Sequence, residues 1–298
     1  MNLCHLSIRE TSKLYATMKI AQELGIKIQE ETLTELMLID LKFCIQTLNL
    51  KTIIKHCNKS NEFKFGTDFL WFIGSNKKKS WVAFHIQAKK LKEDQKYFLK
   101  HNYKDTTGSG SLSITRQVDK LIAKAEKINL RNTKDFKAIP IYCFYNCLND
   151  ETLKQITYLK PFRHTFQYIP INKKTFSFTY ASAYHVRSLL DQPYLKRSGT
   201  NRNKFSFNEL KGLPFFTLFC SKNSSKSLAH SLYDTYHHHH SKLFKGTNNG
   251  YHFSLDSDSY IFTKLPPYVE SLIHNNKDTS EKYDEKDLPA YIMVTYED

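Results

Sequence analysis

Residues 65–90, FGTDFLWFIGSNKKKSWVAFHIQAKK, decide the fold of this chain. The parts at 65–73 and 81–89 are rich in aromatic and β-branched side chains, which favour strands. The segment between them, GSNKKKS, has the glycine, asparagine and serine residues typical of a turn. The stretch therefore predicts an antiparallel hairpin.

The second strand of this hairpin has one polar face and one apolar face. Side chains alternate along a strand, so His85, Gln87 and Lys89 share a face and the apolar residues between them point to the other. A symmetrical pairing places Asp68 of the first strand opposite residue 86, and a slip of one residue brings it beside Gln87. We therefore expect Asp68, Gln87 and Lys89 to be neighbours.

These three residues have the chemistry of a metal-dependent hydrolase. Phosphodiester hydrolysis needs a hard cation held by oxygen ligands, and the Asp68 carboxylate, the Gln87 amide and the backbone carbonyl of Ala88 offer such oxygens. Lys89 would orient or deprotonate the attacking water and offset charge in the transition state. The pattern predicts Asp68, Gln87 and Lys89 as catalytic residues with Mg²⁺ or Mn²⁺. The alternative is an amphipathic edge with a polar outer face.

The segments around the hairpin predict an element order of helix, hairpin, helix and buried strand. Both helices have apolar residues at helical spacing, and the strand is a short apolar run of the kind buried on both faces. The three segments are 32–48, 114–128 and 138–146, and residues 10–24 are weakly helical. The second half gives weaker predictions: helices at 181–191 and 227–236, strands at 214–220 and 290–296, and a solvated loop at 274–287.

Composition and charge indicate the class of protein. With 298 residues, 40% of them hydrophobic, the chain can bury a sizeable core. The net charge of +15 predicts a surface that attracts polyanions, nucleic acid first, although a basic surface also serves solubility. Six cysteines form no CxxC pair and no regular framework, so neither a zinc ribbon nor a disulfide scaffold is expected. No run has the length of a membrane span, and we expect a cytoplasmic protein.

The motif of Asp68, a hairpin and then Gln87-Ala88-Lys89 resembles the PD-(D/E)xK, or restriction endonuclease-like, superfamily, in the variant where glutamine replaces the acid of the E-x-K element. More narrowly, GTDFLWFI, HIQAKKL, RQVDKLI and PIYCFYN are similar, in this order, to a bacterial family with GxDxxW and QAK motifs. The resemblance implies an α/β fold: a restriction endonuclease-like core of α-β-β-α-β order over 1–148, with a mixed central sheet flanked by helices. Residues 149–298 are then a C-terminal α+β elaboration packed on the core as one unit.

The resemblance also implies that an acid from the first helix completes the metal site. Glu31 and Glu35 are the matching positions. Glu35 has a second interpretation, because Thr32 and Glu35 have the spacing of a capping box, and Glu31 has one as a solvated acid. Glu62, six residues before Asp68, is the third candidate, or an ordinary loop residue.

Further basic and polar residues are candidates for contact with nucleic acid. They are Lys77, Lys78 and Lys79 in the predicted turn, Lys90, and Gln117, which the resemblance implies to face the site. The run His237–His240 suggests loose metal binding, but consecutive side chains rarely form a closed site, and an exposed loop is favoured.

The resulting hypothesis is a metal-dependent endonuclease with nucleic acid, foremost double-stranded DNA, as substrate, employed in bacterial antiphage defence. The resemblance leaves room for a homo-oligomer or a defence-system partner. Two alternatives stay open. Gln87 removes one negative charge from the usual metal site, which is compatible with a non-catalytic nucleic-acid-binding module of degenerate fold. An RNA-directed nuclease is the other.

Overall fold

A seven-stranded mixed sheet forms the centre of the computed structural model, in the order β1-β11-β2-β3-β7-β8-β10. The structure describes residues 3–48, 50–57, 66–106, 112–126, 137–159, 162, 172–192, 203–220, 226–244, 259–274 and 288–297. Two short two-stranded ribbons, β4-β9 and β5-β6, lie outside this sheet. Among the described helices, none is long and apolar enough to cross a membrane.

The strands have the following bounds: β1 Lys51–His56, β2 Phe69–Ser75, β3 Ser80–Lys90, β4 Lys96–Phe98, β5 Asn102–Thr106, β6 Leu112–Arg116, β7 Ile139–Tyr145, β8 Phe178–Ser182, β9 Lys204–Ser206, β10 Leu213–Pro214 and β11 Tyr291–Glu297. The helices are α1 Leu3–Glu23, α2 Glu30–Gln46, α3 Gln117–Ala125, α4 Asp150–Lys154, α5 Ala183–Asp191, α6 Phe207–Leu210, α7 Leu228–Phe244 and α8 Pro267–His274, with a 3₁₀ helix at Phe215–Phe219.

The predicted hairpin is confirmed as β2 and β3. Ile73 pairs with Val82 and Phe69 with Ile86, which is one residue away from the symmetrical pairing. Continued by one step, this register brings Asp68 beside Gln87, and the Asp68 backbone N–H donates to the Ile86 carbonyl at 2.9 Å. The one-residue shift in register that places Asp68 beside Gln87 is therefore present.

The sheet continues on both sides of the hairpin. β3, α3 and β7 form a parallel β-α-β unit, so the predicted helix and buried strand after the hairpin are confirmed. On the other side, β11 lies between β1 and β2 and runs parallel to β2. Strands from both sides of residue 148 thus share one sheet, while the predicted division of the chain at that residue stays a prediction.

Helices and aromatic residues cover both faces of the sheet. On one face, Trp71 packs on Phe215 at a ring distance of 6.1 Å. On the other, Phe72 packs on Phe262 at 6.2 Å and on Tyr268 at 6.5 Å. The protein therefore has an α/β fold with a mixed central sheet flanked by helices.

Three predictions of local structure are wrong. The segment at 214–220 is mainly the 3₁₀ helix and not a strand. α2 begins at Glu30, its N-cap Gln29 makes no side-chain cap bond, and the predicted capping box is absent from this helix start. The structure also forms a disulfide between Cys4 and Cys220, although the cysteine pattern predicted no disulfide framework. The predicted loop at 274–287 lies outside the described residues except for His274, the last residue of α8.

Candidate functional site

Asp68 and Gln87 are in direct contact at the end of the hairpin. The Gln87 amide Nε2 donates to Asp68 Oδ2 at 2.7 Å, and the Ala88 backbone N–H donates to the same oxygen at 2.5 Å. Gln87 Nε2 also lies 3.1 Å from the carbonyl oxygen of Ala88. Gln87 is fully buried, and Asp68 is partly exposed. The predicted neighbours are therefore brought together, with the amide nitrogen of Gln87 towards the carboxylate.

A second amide holds Gln87 from the other side. Gln117, at the start of α3, donates from Nε2 to Gln87 Oε1 at 3.0 Å and to the Tyr103 hydroxyl at 2.9 Å. Its own Oε1 is buried and has no hydrogen-bond partner among the described residues. Asp68, Gln87, Tyr103 and Gln117 are called the polar cluster below.

Burial isolates the surroundings of this cluster from water. Tyr142 lies opposite Gln87 in the β3–β7 register, and its hydroxyl is buried with no hydrogen-bond partner among the described residues. Burial raises the Tyr142 pKa well above its usual value, and the charge of Asp68 adds to the effect. Burial, with a contribution from Lys124, lowers the pKa of His85 to about 3. Both side chains are therefore neutral at physiological pH.

Lys89 is paired with a glutamate that the sequence did not single out. Lys89 Nζ lies 3.1 Å from Glu30 Oε1, and Glu30 Oε2 accepts the Lys90 backbone N–H at 2.9 Å. Glu30 is the first residue of α2, where the helix dipole and the free N–H groups favour a carboxylate. An acid of this helix thus reaches the end of β3, one residue before the predicted Glu31.

The predicted third carboxylates lie elsewhere or are not described. Glu35 Oε1 accepts the Tyr291 hydroxyl at 2.6 Å. Tyr291 pairs with Phe69, which places both on the sheet face opposite Gln87. Glu31 is exposed and lines a cleft next to Glu30. Glu62 lies outside the described residues.

This cleft, of about 900 Å³, opens beside the Glu30–Lys89 pair. It is lined by Lys27, Ile28, Gln29, Glu30, Glu31, Lys90, Leu91, Lys92, Glu93 and Asp94. The predicted nucleic-acid residue Lys90 is among them, and its Nζ donates to the Ile28 carbonyl at 2.7 Å. The cleft lining therefore carries three lysines and four acidic residues.

Four of the predicted nucleic-acid contacts, Lys77–Lys79 and Gln117, do not line this cleft. Lys77–Lys79 are exposed in the turn, at the other end of β2 and β3 from Asp68. A strand of this length puts them roughly 20 Å from the polar cluster. Gln117 is only 2% exposed, so its side chain contacts Gln87 and not the surface.

The histidine run does not form the predicted exposed loop, because it belongs to α7. His239 is 4% exposed, and its Nδ1 lies 2.6 Å from the Tyr180 hydroxyl. His185 Nε2 donates to the Glu209 carbonyl at 2.8 Å, and the rings of His185 and His240 lie 4.5 and 4.8 Å from that of Phe244. His185, His239 and His240 are called the histidine cluster below.

A cation site in the described part of the chain has to rely on more than ionisable side chains. No group of three or more His, Cys, Asp or Glu residues is close enough there to hold a metal ion. At the polar cluster the remaining ligands are an amide and backbone carbonyls. Glu30, Tyr103 and Tyr142 are residues of this region that sequence reasoning missed.

One comparison with known proteins gives a match and two do not. The family described as "Family of unknown function (DUF6615)" matches residues 3–297. Neither the curated proteins nor the solved structures contain a match. Because the match spans the hairpin, the polar cluster and β11, the whole arrangement described above falls within it. The chain belongs to the DUF6615 family.

Proposed function

We propose that this protein is a metal-dependent nuclease that hydrolyses phosphodiester bonds, with DNA as the favoured substrate. The observation that carries the proposal is the contact between Asp68 and Gln87, with Lys89 two residues further along the same face. A carboxylate and an amide are in contact there, and the ammonium group of Lys89, which belongs to the same strand, is paired with Glu30. The β3-α3-β7 unit behind them supports a restriction endonuclease-like core of the PD-(D/E)xK type.

The residues at this point fit a hard divalent cation. Asp68 Oδ2 and the Ala88 carbonyl are oxygen donors that already lie against Gln87 Nε2, and the amide of Gln87 can supply a third oxygen. Glu30 of α2 contacts Lys89, two residues after Gln87. When bound, Mg²⁺ or Mn²⁺ would activate water and neutralise charge on the phosphoryl oxygens.

Lys89 is the group of this chain that acts on the reacting atoms in the proposed reaction. Its ammonium group orients the attacking water and offsets the charge that develops in the transition state. Glu30 holds the Lys89 side chain, which is 13% exposed, at the mouth of the cleft. A fixed ammonium group needs no rearrangement at the moment of reaction.

The charge of the chain supports nucleic acid as the substrate. A net charge of +15 attracts a phosphate backbone. We propose a cytoplasmic protein employed in antiphage defence, which is the common use of the fold that the sequence resembles. The affinity for nucleic acid should fall steeply between low and moderate salt concentration. An affinity that does not change with salt would mean that the charge serves only solubility.

A second function has one observation in its favour. Gln87 presents its NH₂ group to Asp68, and Lys89 is paired with Glu30, so the polar groups satisfy one another. Such a closed network suits a nucleic-acid-binding module that has lost turnover.

Incubation of the purified chain with plasmid, linear DNA and RNA separates these functions. Each substrate is tested with Mg²⁺, with Mn²⁺ and with EDTA. The nuclease proposal expects cleavage that requires the metal, and the RNA arm decides between DNA-directed and RNA-directed enzymes. Binding without cleavage in every metal would favour the non-catalytic module.

A further inference from the structure

The amides of Gln87 and Gln117 are arranged so that each determines the orientation of the other. Both hydrogens of Gln117 Nε2 are used, one by Gln87 Oε1 at 3.0 Å and one by the Tyr103 hydroxyl at 2.9 Å. Gln87 is thereby left with its Nε2 towards Asp68, at 2.7 Å. Gln117 Oε1 is buried and makes no hydrogen bond with any described residue.

A cation at Asp68 requires the opposite orientation. An NH₂ group facing Asp68 repels a cation, whereas the amide oxygen adds a ligand. A half-turn of the Gln87 amide brings Oε1 to Asp68 and turns Nε2 towards Gln117. Two NH₂ groups would then face each other, so Gln117 has to turn as well. Its Oε1 then accepts from Gln87 Nε2 and lies against the Tyr103 hydroxyl, which can donate as well as accept.

We infer that Gln117 and Tyr103 are positioning residues that set which atom of Gln87 faces Asp68, and that a divalent cation turns both amides together. This inference rests on the proposed function, since it concerns the same site. Gln117 acts through Gln87 and does not touch the cation. The turn gives the orphaned Oε1 its donors and places Nε2 where Oε1 now has no partner.

Substitution of Gln117 by glutamate tests this coupling. A carboxylate only accepts hydrogen bonds, so it holds Gln87 with Nε2 towards position 117 and Oε1 towards Asp68. In calorimetry on the full chain, the Kd of Gln117→Glu for Mn²⁺ should fall by about tenfold, a typical effect of a residue behind a metal ligand. Gln117→Met is close in size but bonds neither atom of Gln87, and it should raise the Kd by about tenfold.

The added charge of the glutamate needs a control of its own. In a Gln87→Met background the same Gln117→Glu change adds the charge but has no amide to orient. The gain in Mn²⁺ affinity should disappear there if it acts through Gln87. An equal gain in both backgrounds would assign it to charge alone and overturn the inference, as would an unchanged Kd in Gln117→Glu and Gln117→Met.

A measurement on the wild-type chain avoids any folding defect of the variants. The side-chain amide NMR signals of Gln87 and Gln117 should shift together, with one midpoint, as Mg²⁺ is added. A shift of Gln87 alone overturns the coupling. If the wild type binds no Mn²⁺, the inference and the nuclease proposal both fail. If Mn²⁺ binding follows the expected pattern but no nucleic acid is cut, only the nuclease proposal fails. If the wild type cuts DNA but the Gln117 variants bind Mn²⁺ unchanged, only the inference fails.

Discussion

The polar cluster and the histidine cluster are both built from residues that often form sites, yet their surroundings differ. In the polar cluster, the buried Gln87 is bonded to a carboxylate and to another amide, beside a charged pair at an open cleft. In the histidine cluster, imidazole rings pack against aromatic rings, and burial lowers the pKa of His239 to about 3. Polar groups that can change their hydrogen-bond partners are suited to catalysis, whereas neutral rings packed in a core stabilise the fold. The partners of a residue, more than its type, therefore distinguish a candidate site from a core.

Acid should produce the largest effect, a loss of folding stability, and most of this loss should come from the histidine cluster. Burial lowers the pKa of His185 and of His240 to about 4, with His239 lower still. Since these folded values lie below the unfolded value of about 6.5, the unfolded chain takes up protons first as pH falls. Their contribution to stability is fully present above about pH 6.5, and below it the free energy of unfolding should decrease by about 1.4 kcal/mol per pH unit for each histidine, or about 4 kcal/mol per pH unit for the three. The buried His85, whose pKa is also lowered to about 3, adds a fourth contribution of the same size.

Thermal unfolding between pH 7 and about pH 4.5 measures this slope. His239→Asn keeps an amide for Tyr180 but does not titrate, and it should remove about one quarter of the slope, because His85, His185 and His240 keep their contributions. His238→Gln changes an exposed residue of the same helix and is the matched control. An equal slope in wild type and His239→Asn would show that the histidine cluster does not govern acid stability.

Lys89→Ala should give the next largest effect, a loss of cleavage rate at the end of β3. Removal of a group that acts on developing charge should lower cleavage by about a hundredfold or more while leaving DNA affinity within a few-fold. Single-turnover cleavage and a binding titration measure the two quantities. Lys19→Ala, which removes an exposed lysine of α1, is the control for net charge. Unchanged cleavage by Lys89→Ala would contradict the proposed mechanism.

Gln87→Glu should make the stability of the fold depend on a bound divalent metal. The new carboxylate would lie against Asp68 Oδ2, where Gln87 Nε2 now lies at 2.7 Å. Two carboxylates in contact repel, so we expect a loss of about 2 kcal/mol in EDTA at neutral pH. Added Mg²⁺ should restore the Tm and keep or raise cleavage. A variant whose Tm is the same in EDTA and in Mg²⁺ would argue against Gln87 as a ligand.

Tyr180→Phe should give the smallest effect, again in the histidine cluster. The change leaves the buried Nδ1 of His239 without its partner at 2.6 Å. Denaturant unfolding should show a loss of about 1–2 kcal/mol, with no change in cleavage per folded molecule. A large loss of cleavage with normal stability would mean that the two regions are linked.

The hairpin was predictable because alternation along a strand is a strong signal. It predicted that Gln87 and Lys89 share a face, and a one-residue slip was the only change needed to bring Asp68 beside Gln87. Tyr142 was beyond prediction, since its position opposite Gln87 depends on the register of two parallel strands joined through α3. Glu30 was missed for a local reason: the apparent capping box moved the expected helix start past it.

The second half of the chain was harder to predict because its apolar runs show neither a clear helical nor a clear strand periodicity. Four consecutive residues of the 3₁₀ helix, Phe215–Leu218, are buried, and such a run does not separate a strand from a short helix. In α7 the buried stripe continues through Leu232, Tyr236 and His239. A histidine counts as polar in a sequence pattern, so the expected helix ended too early.

The position of β11 has a consequence for how the protein is made. This strand lies between β1 and β2, and the Tyr291 backbone N–H donates to the Asp68 carbonyl at 3.3 Å. The ribosome synthesises β11 long after β2, so the nascent chain cannot complete its sheet, or secure the backbone at Asp68, until almost the whole family-matched region has emerged. Under the proposed function, the nascent chain would therefore carry no completed active site, and translation arrested before β11 would release a chain with an open β2 edge for quality control to remove.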